Sequence, residues 1–187
     1  MNNKKKPVIL ILSGPSGAGK TTLSHALIAS IPDTIIAKSH TTRSPRPGEK
    51  DGEDYYFVSQ KEFQQLVQDG EMLEYAEVYG HLYGTSRNTL LQAINKGKNI
   101  ILDIDWQGAR RIKKVYPEAI SVYILPPAER ESKARLISRQ QDSPETIQSR
   151  MSTYREQLSH QSEYDYVIVN DNLAEATLEL RKILASS

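Results

Sequence analysis

The stretch Ser13-Gly14-Pro15-Ser16-Gly17-Ala18-Gly19-Lys20-Thr21-Thr22 constrains the fold more than any other part of the chain. It follows an unbroken apolar run, Val8-Ile9-Leu10-Ile11-Leu12, and precedes a helical pattern through Leu23, Ala26 and Leu27. A strand that is apolar at every position is covered on both faces, which places Val8 to Leu12 at the centre of a parallel sheet. Gly14, Gly19, Lys20 and Thr21 satisfy G-x-x-x-x-G-K-[ST], the P-loop spacing. A glycine-rich turn lets successive backbone N–H groups point inward at phosphate oxygens, and the helix that follows adds its positive end. Gly14, Pro15, Ser16, Gly17, Ala18, Gly19, Lys20, Thr21 and Thr22 are therefore the candidate triphosphate cradle. Within it, Lys20 is spaced to reach the β- and γ-phosphates and the Thr21 hydroxyl to ligate Mg²⁺. The competing reading is an ordinary glycine-rich turn between strand and helix.

With 187 residues, the chain is long enough for one domain with a sizeable core and inserted subdomains. Its 24 basic and 23 acidic residues leave a net charge of +1, so no bulk field favours nucleic acid or membrane as a partner. Lys4-Lys5-Lys6 reads as a solvated tail, and the five apolar residues after it are too few for a signal peptide. No apolar stretch approaches a membrane span. The absence of cysteine excludes disulfides and thiolate metal sites and fits a cytoplasmic protein. His25, His40, His81 and His160 show no metal-ligand spacing.

Along the chain, a helix is expected from Lys20 to Ser30 and a short strand over Ile35-Ile36-Ala37-Lys38. From Ser39 to Gly84 the sequence turns polar and aromatic, with the capping box Ser59-Gln60-Lys61-Glu62 opening a helix that ends at Gly70. A strand follows from Met72 to Tyr79, then the turn Gly80-His81. Ser86 to Lys96 reads as helix. Asn99 to Asp105 reads as a second buried strand ending in two carboxylates, and Ile120 to Leu125 as a third, broken by Pro126-Pro127. Arg-rich helices flank the polar link Arg139-Gln140-Gln141-Asp142, and Ser143 caps a helix with Pro144 at its first position. Tyr166 to Asn170 is the last strand, and Leu173, Ala176, Leu180 and Ile183 mark one buried face of the final helix. Strands alternating with helices indicate an α/β fold with a central parallel sheet.

Several polar groups then fall where chemistry is expected. Asp103 ends a buried strand, beside the P-loop in such a sheet, where it holds Mg²⁺ or caps the next helix. Arg43 and Arg46 lie on a loop stiffened by Pro45 and Pro47, suited to bidentate capture of a second phosphate, or else form a solvated basic loop. Arg135 and Arg139 stand i,i+4 on one helix face, with Arg150 on the next helix. They are candidates to neutralise a transferred phosphoryl group; the plainer alternative is surface ion pairing with Glu129 or Glu131.

Taken together these stretches resemble the guanylate kinase family. The resemblance rests on Ser13 to Thr21, Thr41 to Glu49, Gly52 to Tyr55, Tyr83-Gly84-Thr85, Ile101 to Asp105 with Gly108, and Val167 to Asp171, in the family's order from about Pro7 to Leu184. It implies a P-loop three-layer α/β fold within residues 7–185. The core would be about 7–38, 98–126 and 158–185, with an α+β GMP-binding insertion at about 39–97 and a helical lid at about 127–157. It also implies that Arg43, Arg46, Tyr55 and Tyr83 hold the GMP phosphate and that Ser39, Glu74, Thr85 and Asp105 line the guanine pocket. Arg135, Arg139 and Arg150 would belong to the lid and Asn170 would lie near the adenine of ATP; Lys20, Arg43, Arg135 and Arg150 are the catalytic set. Thr21 and Asp103 would hold Mg²⁺.

The activity implied is transfer of the ATP γ-phosphoryl group to GMP, with dGMP as a further acceptor, in a monomer or homodimer. Two alternatives remain open: a non-catalytic phosphopeptide-binding module of the same fold, and a P-loop kinase for another small phosphorylated acceptor. One departure stands out. Gln140 occupies a position where the family usually has Gly, which would stiffen or re-aim the lid turn. His40 and Trp106 are also unusual, but they flank the motif residues without replacing them.

Overall fold

A computed structural model describes residues 6–186, so Lys4 and Lys5 of the basic run lie outside the described residues. Five of its strands, β1 (Ile9–Ser13), β2 (Thr34–Ile36), β7 (Asn99–Asp103), β8 (Ile120–Leu125) and β9 (Tyr166–Val169), form one sheet. Its order is β2-β7-β1-β8-β9 and it is parallel throughout. β1 is the central strand. Its side chains alternate between two cores, which is why it has no polar face. Leu10 and Leu12 join Leu23, Leu27, Val122, Ile168 and Leu180 on one side, whereas Ile9 and Ile11 join Leu90, Ile100, Leu102 and Ile112 on the other. Helices α1 (Lys20–Ser30) and α8 (Leu173–Ala185) cover the first side, and α3 (Arg87–Asn95) and α4 (Trp106–Val115) the second. This is the expected three-layer α/β arrangement.

A second sheet, order β4-β3-β6-β5, is built from β3 (His40–Thr41), β4 (Tyr56–Phe57), β5 (Met72–Val78) and β6 (His81–Ser86). Helix α2 (Gln60–Gln68) packs Phe63 under it and starts at the expected capping box, with Glu62 N donating to Ser59 Oγ and Ser59 N to Glu62 Oε2. After β8 come α5 (Glu129–Ser138), α6 (Pro144–Ser152) and α7 (Tyr154–Ser159). Ser143 caps α6 as expected.

Several strand ends differ from the sequence reading, β2 covering Thr34–Ile36 where Ile35 to Lys38 was expected and β9 stopping at Val169. The strand expected to run to Asp105 stops at Asp103. Asp105 instead turns its carboxylate onto Gly108 N at 2.9 Å and becomes the N-cap of α4. β9 is an edge strand, with Ile168 buried and Tyr166, Val167 and Val169 exposed.

Candidate active site

The loop between β1 and α1 is shaped by contacts that only glycine permits at two points. A Cβ on Gly14, at φ 147°, would sit 2.1 Å from Ile124 O, and one on Gly17, at φ 80°, 2.5 Å from Ser132 O. The loop is thus pressed between β8 and α5. Arg135 reinforces this from behind, its Nη1 donating to Ala18 O (3.4 Å) and its Nη2 to Asn170 O (2.9 Å). Asn170, 5% exposed, donates from Nδ2 to Ala18 O at 2.8 Å.

Lys20 folds back over the loop. Its Nζ donates to Gly14 O (2.9 Å) and lies 4.0 Å from Asp103 Oδ1. Thr21 Oγ1 donates to Asp103 Oδ2 at 3.3 Å. A hydroxyl and a carboxylate therefore stand side by side at the end of β7, a pair of hard oxygen donors that suits Mg²⁺. No group of three or more His, Asp or Glu side chains placed to hold a metal ion occurs among the described residues.

A cavity of about 300 Å³ opens from the loop toward the second sheet. Gly14, Ser16, Lys20 and Asp103 line one end, and Ser39, Tyr55, Glu74, Tyr83 and Asp105 the other. Glu74 is 3% exposed, on β5. Burial, then the nearby Asp105 charge, push its pKa up to about 7, against an opposing pull from Thr85 and Arg111. Gly108 makes room for it: a Cβ there would lie 2.5 Å from Glu74 Oε2. Asp105 is also raised, by burial first, with the Gly108 amide and Gln107 opposing. Thr85 is fully buried beside them, and its hydroxyl makes no hydrogen bond of ordinary geometry.

The arginines are placed differently from one another. Arg43 is 9% exposed, with Nη2 donating to Glu49 Oε1 at 2.9 Å and its guanidinium 5.4 Å from the Tyr55 ring centre. Arg46 donates through Nε (3.1 Å) and Nη2 (2.8 Å) to Asp142 Oδ1. Arg150 Nη1 meets the other oxygen of Asp142 at 3.2 Å. Arg135 and Arg139 do not converge despite their spacing: Arg135 turns in to the loop carbonyls, and Arg139 ends α5 at the surface. Neither meets the Glu129 or Glu131 partner considered from the sequence; the ion pair there is Arg130 with Glu131. Gln140, at φ 52°, adopts the left-handed conformation a glycine would take, so the turn keeps a glycine-like shape at the expense of strain.

The sequence reading overlooked Asp142, Tyr79 and Gln157. Asp142 was visible only as one residue of a polar link. Tyr79 and Gln157 carry no motif, and only the fold brings them to the cavity. Trp106 stacks on His160 at 3.9 Å between ring centres and lines the same cavity.

Comparison with known proteins bears on what such a site belongs to. The family model for guanylate kinase matches residues 4–187. The chain belongs to the guanylate kinase family. A guanylate kinase from Thiobacillus denitrificans is 47% identical over 179 residues, covering 96% of this chain and 86% of that protein. One from Aliivibrio fischeri is 49% identical over 181 residues, covering 96% and 87%. The crystal structure of guanylate kinase from Anaplasma phagocytophilum superposes with a TM-score of 0.80 at 36% identity, over 96% of this chain and 85% of that one. The SH3-kinase fragment of tight junction protein 3 shares the fold at 16% identity and a TM-score of 0.52. As a guanylate kinase family member the chain is a transferase and a nucleotide-binding kinase. No helix among the described residues is long and apolar enough to cross a membrane.

Proposed function

We propose that this protein transfers the γ-phosphoryl group of ATP to GMP, yielding ADP and GDP with Mg²⁺ bound. The observation that carries this reading is a single cavity with a phosphate loop at one end and two carboxylates, the buried Glu74 and the half-buried Asp105, at the other. The guanine edge presents N1–H and a 2-amino group, both donors, and acceptor-only carboxylates complement them. Adenine has an unprotonated N1 there and no 2-amino group.

In this reading a GMP phosphate oxygen bonds to the γ-phosphorus while the bridging oxygen leaves with ADP, without a covalent enzyme intermediate. Catalysis is then positioning plus neutralisation of charge. Gly14 to Thr22 cradle the triphosphate, and Lys20 swings from the Gly14 carbonyl to the β- and γ-oxygens. Thr21 and Asp103 would hold Mg²⁺, which supplies charge neutralisation of the phosphates. Arg43, Arg46, Tyr55 and Tyr83 grip the acceptor phosphate; Ser39 and Thr85 complete the base pocket. Residues 39–97 act as the acceptor insertion and 127–157 as the lid that brings Arg135, Arg139 and Arg150, with Asn170 on the adenine side. Closure excludes water, a competing acceptor.

The test is ADP release with GMP, dGMP, AMP, CMP and UMP as acceptors. GMP and dGMP should far exceed the rest. Comparable rates with AMP would overturn the assignment of the base.

A further inference from the structure

Tyr79 has no part in the chemistry described above, yet two independent features mark it. The first is its backbone. Tyr79 and Gly80 are the two central residues of the β5–β6 hairpin, whose last pair is Val78 with His81. Their φ values of 52° and 76° are those of a turn that favours Asn-Gly, and a tyrosine at the first position is strained. Strain of this kind persists where the surroundings hold the residue in place.

The second feature is what its hydroxyl touches. It lies 3.3 Å from Ser16 Oγ in the phosphate loop and 3.3 Å from Thr153 Oγ1 between α6 and α7, and accepts from Gln157 Nε2 of α7 at 2.8 Å. Gln157 Nε2 also donates to Thr153 Oγ1 at 3.1 Å, and that hydroxyl donates to Arg150 O at 3.2 Å. The Tyr79 proton therefore goes to Ser16 or to Thr153. One oxygen joins the hairpin of the second sheet to the donor loop, 63 residues before it, and to the α6–α7 segment, 74 and 78 residues after it. The ring serves a second connection: the Arg150 guanidinium lies 5.6 Å from its centre, and Arg150 leads through Asp142 to Arg46.

We propose that Tyr79 is a positioning residue that couples the two substrate sites. Its hydroxyl ties the acceptor insertion to the donor loop and lid, so a nucleotide triphosphate held by the loop raises the affinity for the acceptor nucleotide. This rests on the assignment of ATP and GMP to the two ends of the cavity. A closed arrangement stabilised from both ends pays its ordering cost once, which makes the second ligand bind more tightly.

The experiment is calorimetric titration of GMP into the whole protein, with and without a saturating non-hydrolysable ATP analogue, for wild type, Tyr79→Phe and Gln157→Leu. Wild type should bind GMP more tightly with the analogue present. Tyr79→Phe keeps the ring and the Arg150 contact but removes the hydroxyl. It should lose about 3- to 10-fold of that enhancement while GMP affinity without analogue changes less than about 2-fold, the size expected for losing a short hydrogen-bond chain. Gln157→Leu should weaken the enhancement in the same direction, and melting temperatures establish that both variants are folded. Undiminished enhancement in folded Tyr79→Phe, or no enhancement in wild type, overturns the proposal. Failure of wild type to phosphorylate GMP would instead overturn the substrate assignment, and the assays with other acceptors separate the two.

Discussion

The two ends of the cavity are held in place by different physics. At the phosphate loop, shape is set by backbone: β1 is buried on both faces, Gly14 and Gly17 lie against main-chain oxygens, and Arg135 and Asn170 tie down loop carbonyls. At the acceptor end, position depends on polar and charged side chains that hold one another. Arg46 and Arg150 share Asp142, Arg43 pairs with Glu49, and Glu74 is buried beside Asp105. A backbone cradle is already formed before its ligand arrives. Side-chain pairs can exchange one anion for another. Asp142 occupies the Arg46 fork in this structure, and a phosphate on that fork would take over or share its place. Substitutions at the loop should therefore abolish turnover, whereas those at the acceptor end should retune affinity, selectivity and pH response.

Lys20→Met should produce the largest effect and leave the fold intact. The side chain is partly exposed, and the loop it bonds to is held independently by Arg135 and Asn170, so little stability depends on it. Removing a cation that meets charge developing in transfer should lower kcat by about 10²-fold to 10³-fold or more. A folded variant retaining a third of wild-type turnover would remove the loop from the mechanism.

Glu74→Gln should come next and change three readings together. An amide puts donors against guanine donors, so kcat/KM for GMP should fall by about 2–4 kcal/mol, and much less for AMP. In wild type, kcat/KM for GMP should rise with pH through about 7 as the carboxyl ionises, and the variant should lose that rise. Stability moves the opposite way. The folded state holds this proton more tightly than the unfolded chain, because burial raises the pKa from 4.5 to about 7. The group's contribution to stability therefore falls as pH rises between those values and is level above them, by on the order of 3 kcal/mol in all. Denaturant titrations at pH 5 and pH 8 should show the variant gaining on wild type at the higher pH. An unchanged difference would mean that Glu74 is not held neutral by burial, and an unchanged GMP-to-AMP ratio that it does not read the base.

Arg46→Lys probes the exchangeable side of the comparison. Lysine keeps the charge but loses the fork that now grips Asp142 through two nitrogens. The GMP KM should rise by roughly 5- to 20-fold, corresponding to about 1–2 kcal/mol, with the ATP KM nearly unchanged. Equal weakening of both nucleotides would show that the loop serves the whole site or the fold alone.

These differences also explain what was legible in the sequence. β1, the loop and α1 could be read because their determinants are local: continuous apolarity, glycine spacing, one lysine and one threonine. The capping box of α2 and the serine cap and proline start of α6 could be read for the same reason. The fate of Asp105 could not, since strand end and helix cap are both served by an aspartate there. Arg135 and Arg139 looked like a pair because helical spacing puts them on one face. Side-chain direction and the end of α5 at Ser138 separate them. Asp142, Tyr79 and Gln157 each reach a partner dozens of residues away, Arg46, Ser16 and Tyr79 respectively, which no local pattern encodes.

Gln140 supplies the smallest and most local test of the contrast. It sits in the turn between α5 and α6 at φ 52°, where a side chain crowds its own backbone and glycine does not. Relief of that crowding in Gln140→Gly should gain about 1 kcal/mol, while the greater freedom of glycine in the unfolded chain takes back about 0.4–1 kcal/mol. The net change in denaturant-measured stability should lie between about zero and 0.6 kcal/mol in favour of glycine. Gln140→Ile puts a branched side chain into the same conformation and should be destabilised by more than about 1 kcal/mol. The ordering Gly, then Gln, then Ile is the diagnostic, because it depends on the backbone angle and on no partner. If Ile proves as stable as Gln, the turn relaxes away from the left-handed conformation, and the lid there is shaped by the side chains around it, as at the acceptor end, and not by its own backbone.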